Sequence, residues 1–229
     1  MILRGKKRWL GCLLVFVVLL SWGKAWSLTP EEVVEGIQRR YKELHDLEAD
    51  FHQTTTLPMM DQVKEASGRL YLKMPGKMRW DYLEGEKKTV LVTGQTMLFY
   101  DPEEYQATIT DLSRMPNSQG LLTFITGMGD LQRDFLLDTS VPLDEKHPGQ
   151  VMIKLLPRAE DSQWTQLSLF ADPKNFQVVK TIFEGIQGDR TTIEYTNIRT
   201  NVGLSDDLFH FEIPEGTDIL HYPFPQGDQ

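Results

Sequence analysis

Catalysis near neutral pH needs poised side chains, so we begin with the residues able to supply them. The five histidines are His45, His52, His147, His210 and His221. None stands in HExxH or another metal-ligand spacing. The chain has no G-x-S-x-G, no S-x-x-K and no glycine-rich phosphate loop. Its one cysteine, Cys12, lies near the start. The remainder therefore has neither a thiol nucleophile nor a disulfide framework. The carboxylate pairs Glu103-Glu104 and Asp206-Asp207 sit at turns, where solvated or capping carboxylates are ordinary. No catalytic set, metal site or cofactor is expected, and we read the chain as non-enzymatic.

What the spacing does arrange is apolar material. Between Gly68 and Gln106, Leu70 and Leu72 alternate with Arg69, Tyr71 and Lys73. Met78 and Trp80 alternate with Lys77, Arg79 and Asp81, and Val90, Val92 and Phe99 follow on the next two runs. Period-two alternation is strand spacing. Pro75-Gly76 and Gly94-Gln95 mark turns between the runs. The segment reads as a meander of at least four short strands with one greasy and one charged face. Such a face can close a plain core or line a cavity.

Other elements must complete that sheet. Thr29-Pro30-Glu31-Glu32 has a capping-box pattern with proline at the first helical position. Val33, Val34, Ile37, Tyr41, Leu44 and Leu47 follow at helical spacing, which predicts an amphipathic first helix. Ala49 to Thr56 reads as a strand and Leu57 to Ala66 as a loop, its methionines more often tucked against a strand than exposed for contact. Leu121, Leu122, Phe124 and Ile125 crowd a short glycine-bounded segment that reads as an apolar helix, either a lid or a plug at one end of the sheet. Further strands are expected at Tyr105–Leu112, Gln150–Leu156, Gln163–Ala171, Phe176–Gly185 and Arg190–Arg199. A capped turn at Ser205–Leu208 should lead into a strand at Phe209–Ile213, and His221 onward should form a loose tail. The fold class is mainly β with covering helices (α+β), with about eleven strands and two or three helices.

The chain has 229 residues and a formal net charge of -9. Residues 1–27 read as a cleaved signal peptide. A basic n-region, the short apolar stretch Trp9 to Trp22 and Ala25-Trp26-Ser27 place cleavage between Ser27 and Leu28. That segment carries five cations and no acid, so residues 28–229 would hold about -14 and form a single exported domain, expected to be a monomer. Such an acidic chain is repelled by nucleic acid and by anionic membrane surfaces.

The ordered set G-R-L-Y-L-K-M-P-G-K-M-R-W-D-Y, V-L-V-T-G and L-F-Y-D-P-x-x-x-Q resembles the periplasmic carriers of outer-membrane lipoproteins, the LolA family. A-D-F-x-Q at Ala49, Asp50, Phe51 and Gln53 precedes it. Leu208-Phe209-His210-Phe211 with Pro214-Glu215-Gly216 resembles the family's closing L-F-x-F-x-x-P-x-G. The resemblance implies an incomplete antiparallel β-barrel of about eleven strands, with two or three lid helices around an apolar cavity. It implies a periplasmic protein that takes triacylated lipoproteins from an inner-membrane ABC transporter and hands them to an outer-membrane acceptor. Leu70, Leu72, Met78, Trp80, Val90, Val92 and Phe99 would face the acyl chains, and Leu121, Leu122, Phe124 and Ile125 would form the lid. Leu121 and Leu122 would partly fill the empty cavity. Some members carry a lid-latching arginine before the proline of the K-x-P turn. Met74 stands there in this chain, leaving Arg69 or Arg79 as candidates for lid hydrogen bonding. The alternative is a periplasmic lipid- or lipoprotein-sensing regulatory protein on the same half-barrel.

Overall fold

A computed structural model of the chain describes residues 28–114, 130–139, 149–158, 162 and 164–222. The expected signal peptide and the expected lid residues Leu121, Leu122, Phe124 and Ile125 lie outside the described residues. Helix α1 (Pro30–Glu43) starts as its sequence requires. The Thr29 hydroxyl accepts from Glu32 N at 3.2 Å, and the Glu32 carboxylate accepts from Thr29 N at 2.8 Å. Its apolar stripe, Val33, Val34 and Ile37, is fully buried.

Among the described residues, twelve strands form one sheet. In chain order they are β1 (Asp46–Leu57), β2 (Gln62–Lys73), β3 (Lys77–Glu84), β4 (Lys88–Thr93), β5 (Thr96–Asp101), β6 (Gln106–Asp111), β7 (Phe135–Leu137), β8 (Val151–Pro157), β9 (Trp164–Ala171), β10 (Val178–Gly185), β11 (Arg190–Thr200) and β12 (Asp218–Tyr222). The spatial order is β12-β6-β5-β4-β3-β2-β1-β11-β10-β9-β8-β7. A one-turn helix α2 (Leu131–Asp134), capped by the Asp130 carboxylate, precedes β7.

The sheet is curled. Trp80 on β3 and Leu169 on β9 line one cavity, although five strand steps separate them in the sheet order. A flat sheet would hold those strands roughly 24 Å apart. Among the described residues the order ends on two unjoined edges, β12 and β7, so the barrel is incomplete. Helix α1 contributes Val33, Val34 and Ile37 to the apolar cluster of the concave face.

Four expectations need correction. The stretch Leu57–Ala66 is not a loop: a 3-10 turn at Pro58–Met60 leads directly into β2 at Gln62. Thr54, Thr55 and Thr56 pair with Glu65, Lys64 and Val63, so this end of the hairpin is polar on both faces apart from Val63 and shows no alternation. Met59 and Met60 are 80% and 64% exposed rather than tucked in. No strand forms at Phe209–Ile213. A 3-10 turn (Asp206–Phe209) buries Phe209 instead, and the chain crosses the sheet without joining its ladder. The tail is not loose at His221, because Asp218 to Tyr222 pairs in parallel with Gln106 to Thr110. Among the described residues the strands number twelve, close to the eleven expected, with one parallel pair.

Candidate functional site

The concave face is the candidate. Strands β2 and β3 present Leu70, Leu72, Met78 and Trp80 to it, each buried. The register Leu70↔Trp80 and Leu72↔Met78 places them in opposed pairs. Val92 is opposite Met78 on β4 and fully buried. Val90 is half-buried against the same cluster. Phe99 pairs with Val90 but is only half-buried, with the Lys88 ammonium 5.8 Å from its ring centre.

Leu70, Leu72 and Trp80 line an apolar cavity together with Leu47 and Ala49 from β1, and Tyr41 from α1. Its far wall is Leu169, Gln177, Val178, Thr181, Tyr195 and Ile198. That wall was missed from the sequence, although β9 to β11 were anticipated as strands. Leu167, Leu169 and Ala171 alternate inward as plainly as Leu70 and Leu72 do, and this was the available signal.

An aromatic group frames the cavity. The Phe51 ring meets Trp80 edge-on at 5.1 Å and Tyr82 at 5.0 Å, and Tyr195 lies 6.4 Å from Trp80. Gly68 faces Phe51 across the β1–β2 ladder, and a Cβ there would lie 1.9 Å from the Asp81 carbonyl oxygen. Only glycine allows that approach. The Tyr82 hydroxyl donates to Gln53 Oε1 at 2.9 Å. Burial pushes Tyr82 up to about 12, with Tyr195 adding to the shift. Burial likewise raises Tyr195 to about 12 against an opposing hydrogen bond with Thr181. Burial, then Tyr195, raises Tyr41. These hydroxyls stay neutral at physiological pH, and no ionised side chain lines the cavity among the described residues.

The cavity is small as it stands, about 30 Å³. That is about one water's share of volume, and a tenth or less of the ~300–1,000 Å³ that encloses a ligand. The lining is collapsed on itself. Helix α1 does much of the closing: the Phe176 ring abuts Gly36, where an added Cβ would meet it at 2.5 Å. Arg40 Nη2 donates to Thr200 Oγ1 at 3.1 Å.

Arg69 and Arg79 turn away from the cavity. They alternate with Leu70 and Trp80, so they share the opposite, convex face. The Arg69 side chain is 62% exposed, 3.7 Å from the Asp50 carboxylate. Arg79 donates from Nε to both Asp81 carboxylate oxygens at 2.8 and 3.0 Å, and from Nη1 to Leu208 O at 2.9 Å. Neither reaches into the concave side. Nor is the convex face merely charged: Leu91, Leu98, Ala107 and Phe209 form a second core there, covered by Leu204, Leu208, Phe211 and Ile213.

Among the described residues no helix is long and apolar enough to cross a membrane, and no three potential metal ligands cluster. The profile of the family described as outer membrane lipoprotein carrier protein LolA matches residues 42–212. An outer-membrane lipoprotein carrier protein of Azotobacter vinelandii is 30% identical over 215 residues, covering 90% of this chain and 98% of that one. One from Methylobacillus flagellatus is 27% identical over 195 residues, covering 85% and 91%. The crystal structure of a LolA superfamily protein from Nitrosomonas europaea superposes with a TM-score of 0.45 at 12% identity, covering 81% of this chain and 99% of that one. A match over three quarters of the sequence, set on a half-barrel with an apolar hollow, decides the family: the chain belongs to the LolA outer-membrane lipoprotein carriers.

Proposed function

We propose that this protein is a periplasmic chaperone that binds the acyl chains of outer-membrane lipoproteins and carries them across the aqueous gap. The observation that carries the reading is the uncharged, collapsed concave face between the curled sheet and α1, in a chain of this family. The family is one of carriers, not of enzymes. The sensor alternative gains no observation of its own.

The energetics suit loading and release. Three acyl chains of about 16 carbons represent on the order of 35 kcal/mol of apolar transfer from water. A bilayer already supplies that, so a carrier needs only to match it approximately. Lifting α1 re-exposes Val33, Val34 and Ile37 at about 1.5–3 kcal/mol each, or about 5–9 kcal/mol in total. That opening cost is set against every bound acyl chain. It weakens net binding, which lets the cargo leave. The closed cavity is then the resting state of a container whose cover folds inward when empty.

The finer assignments follow the same reading. Cargo would come from an inner-membrane ABC transporter and pass to an outer-membrane acceptor, with the signal peptide removed before Leu28. The turns β1–β2, β3–β4, β5–β6 and β10–β11 all lie at one end of the barrel by strand register. They carry the exposed Met59, Met60, Tyr105 and Ile186, and Leu83 stands beside them at the end of β3. We assign that rim to contact with these partners. The test is release: mature protein is incubated with spheroplasts, and the soluble fraction is probed for a triacylated lipoprotein. A carrier brings it into solution. If it stays with the membrane at every carrier concentration, the reading fails.

A further inference from the structure

One residue of the cavity lining has a buried polar atom without a partner among the described residues. Trp80 is 8% exposed, lines the cavity, and its Nε1 has no hydrogen-bond acceptor. A buried donor left unpaired costs about 1–3 kcal/mol, and each such group in a folded protein calls for an explanation. Its neighbours have partners of their own. Tyr82 is committed to Gln53, Tyr195 shares a hydrogen bond with Thr181, and Gln177 Nε2 donates to Val178 O at 3.2 Å. Among the described residues, Trp80 Nε1 is the one buried side-chain nitrogen of this lining without a partner. Phenylalanine would supply the same flat apolar surface with no such penalty. Here it is tryptophan that stands between Phe51 and Tyr195, with its donor unpaired.

We propose that Trp80 Nε1–H is reserved for a carbonyl of the cargo, so that the site recognises acyl esters and not simply hydrocarbon. This rests on the carrier reading above. The chemistries are complementary. An indole nitrogen only donates, and an ester carbonyl only accepts. A carbonyl drawn into an apolar cavity with its acyl chain loses water and leaves an orphan acceptor. Two orphans that meet cancel both penalties, and the pairing exists only when cargo is loaded. The donor also sets a depth, because it fixes where along the acyl chain the ester stops. A site that held chains by apolar contact alone would let them slide.

The test compares two synthetic probes, a triacylated lipopeptide with its two glycerol ester linkages and the analogue with ether linkages in their place. Binding to the mature protein and to Trp80→Phe is read by displacement of a fluorescent fatty acid. The wild type is expected to bind the ester probe about tenfold tighter than the ether probe, a difference of about 1.4 kcal/mol. Trp80→Phe should lose this preference: it should bind the ether probe as wild type does and the ester probe no tighter than the ether one, because the ester carbonyl then finds no donor. If wild type binds both probes equally, the proposal is overturned while the carrier reading stands. That arm needs no variant, so a misfolded Trp80→Phe does not rescue the idea. If wild type takes up neither probe, the carrier reading itself falls, and this inference with it. Equal ester affinity in wild type and a folded Trp80→Phe also overturns it.

Discussion

Gly68 sits where two strands and a ring converge. A methyl group there would meet the Asp81 carbonyl oxygen at 1.9 Å and the Phe51 ring at 3.0 Å, and the first of these is backbone. Gly68→Ala should therefore destabilise by at least the ~1–3 kcal/mol of ordinary overpacking, read as a lower urea midpoint. The buried tyrosines give a second test. Tyr82 and Tyr195 move from 10.0 to about 12, so the fold favours their neutral form. Below 10.0 both states keep the proton and nothing is lost. As pH rises from 10.0 to about 12 the unfolded chain ionises first, and stability falls. Tyr195→Phe should flatten that alkaline limb in denaturant titrations; an unchanged slope would contradict the burial we describe. At this scale much was legible. Leu70, Leu72, Met78, Trp80 and Val92 announce their burial by alternation alone. The side of Arg79 was fixed by the same alternation, but its partner Leu208 lies 129 residues away, and spacing says nothing of that.

Among the elements, the segment from Asn201 to Ile213 is the one the sequence misled on. Phe209, Phe211 and Ile213 alternate as a strand would, yet the segment joins no ladder. It is held by side chains that reach it from the sheet. The Asp46 carboxylate, on a residue 4% exposed, accepts from Val202 N, Gly203 N and Leu204 N at 2.7, 2.9 and 3.1 Å. Hydrogen bonds to a charged group are worth about 1.5–3 kcal/mol, so Asp46→Ala should destabilise by about 2–4 kcal/mol, measured by thermal or urea unfolding. Lys73 and Lys77 both hold Asp206, at 2.8 and 2.7 Å, and draw its carboxyl from 3.8 down to about 2. A depressed carboxyl stabilises fully above 3.8, and that support is lost as pH falls through about 2. Asp206→Asn should remove this part of the acid limb, leaving a shallower fall in urea midpoint between those values. The group is exposed, so the effect should also shrink with salt. The β1–β2 turn is different in kind. Met59→Asp with Met60→Asp touches no core, and its unfolding should change little. Its delivery of lipoprotein to acceptor-bearing membranes should drop if the rim makes the contact we assign to it.

The molecule as a whole bears on an ambiguity that composition leaves open. An alternating strand pattern is the same for a core and for a container. The curl of the sheet, which brings β3 and β9 to one cavity, makes a container geometrically available. On the carrier reading, the ~30 Å³ cavity is that container shut. Sequence reasoning found the near wall on β2 and β3 and overlooked the far wall on β9 to β11, because it followed the longest unbroken meander. The account now stands on one claim, that the collapsed face opens and takes hydrocarbon. The most direct measurement uses a triacylated lipopeptide with a photoactivatable group in an acyl chain, irradiated with the mature protein and mapped by mass spectrometry. The account predicts labelling of Leu70, Leu72 and Trp80, and across the cavity of Leu169, Val178 and Ile198. Labels confined to the convex face around Leu91 and Leu98, with the concave residues untouched, would contradict it.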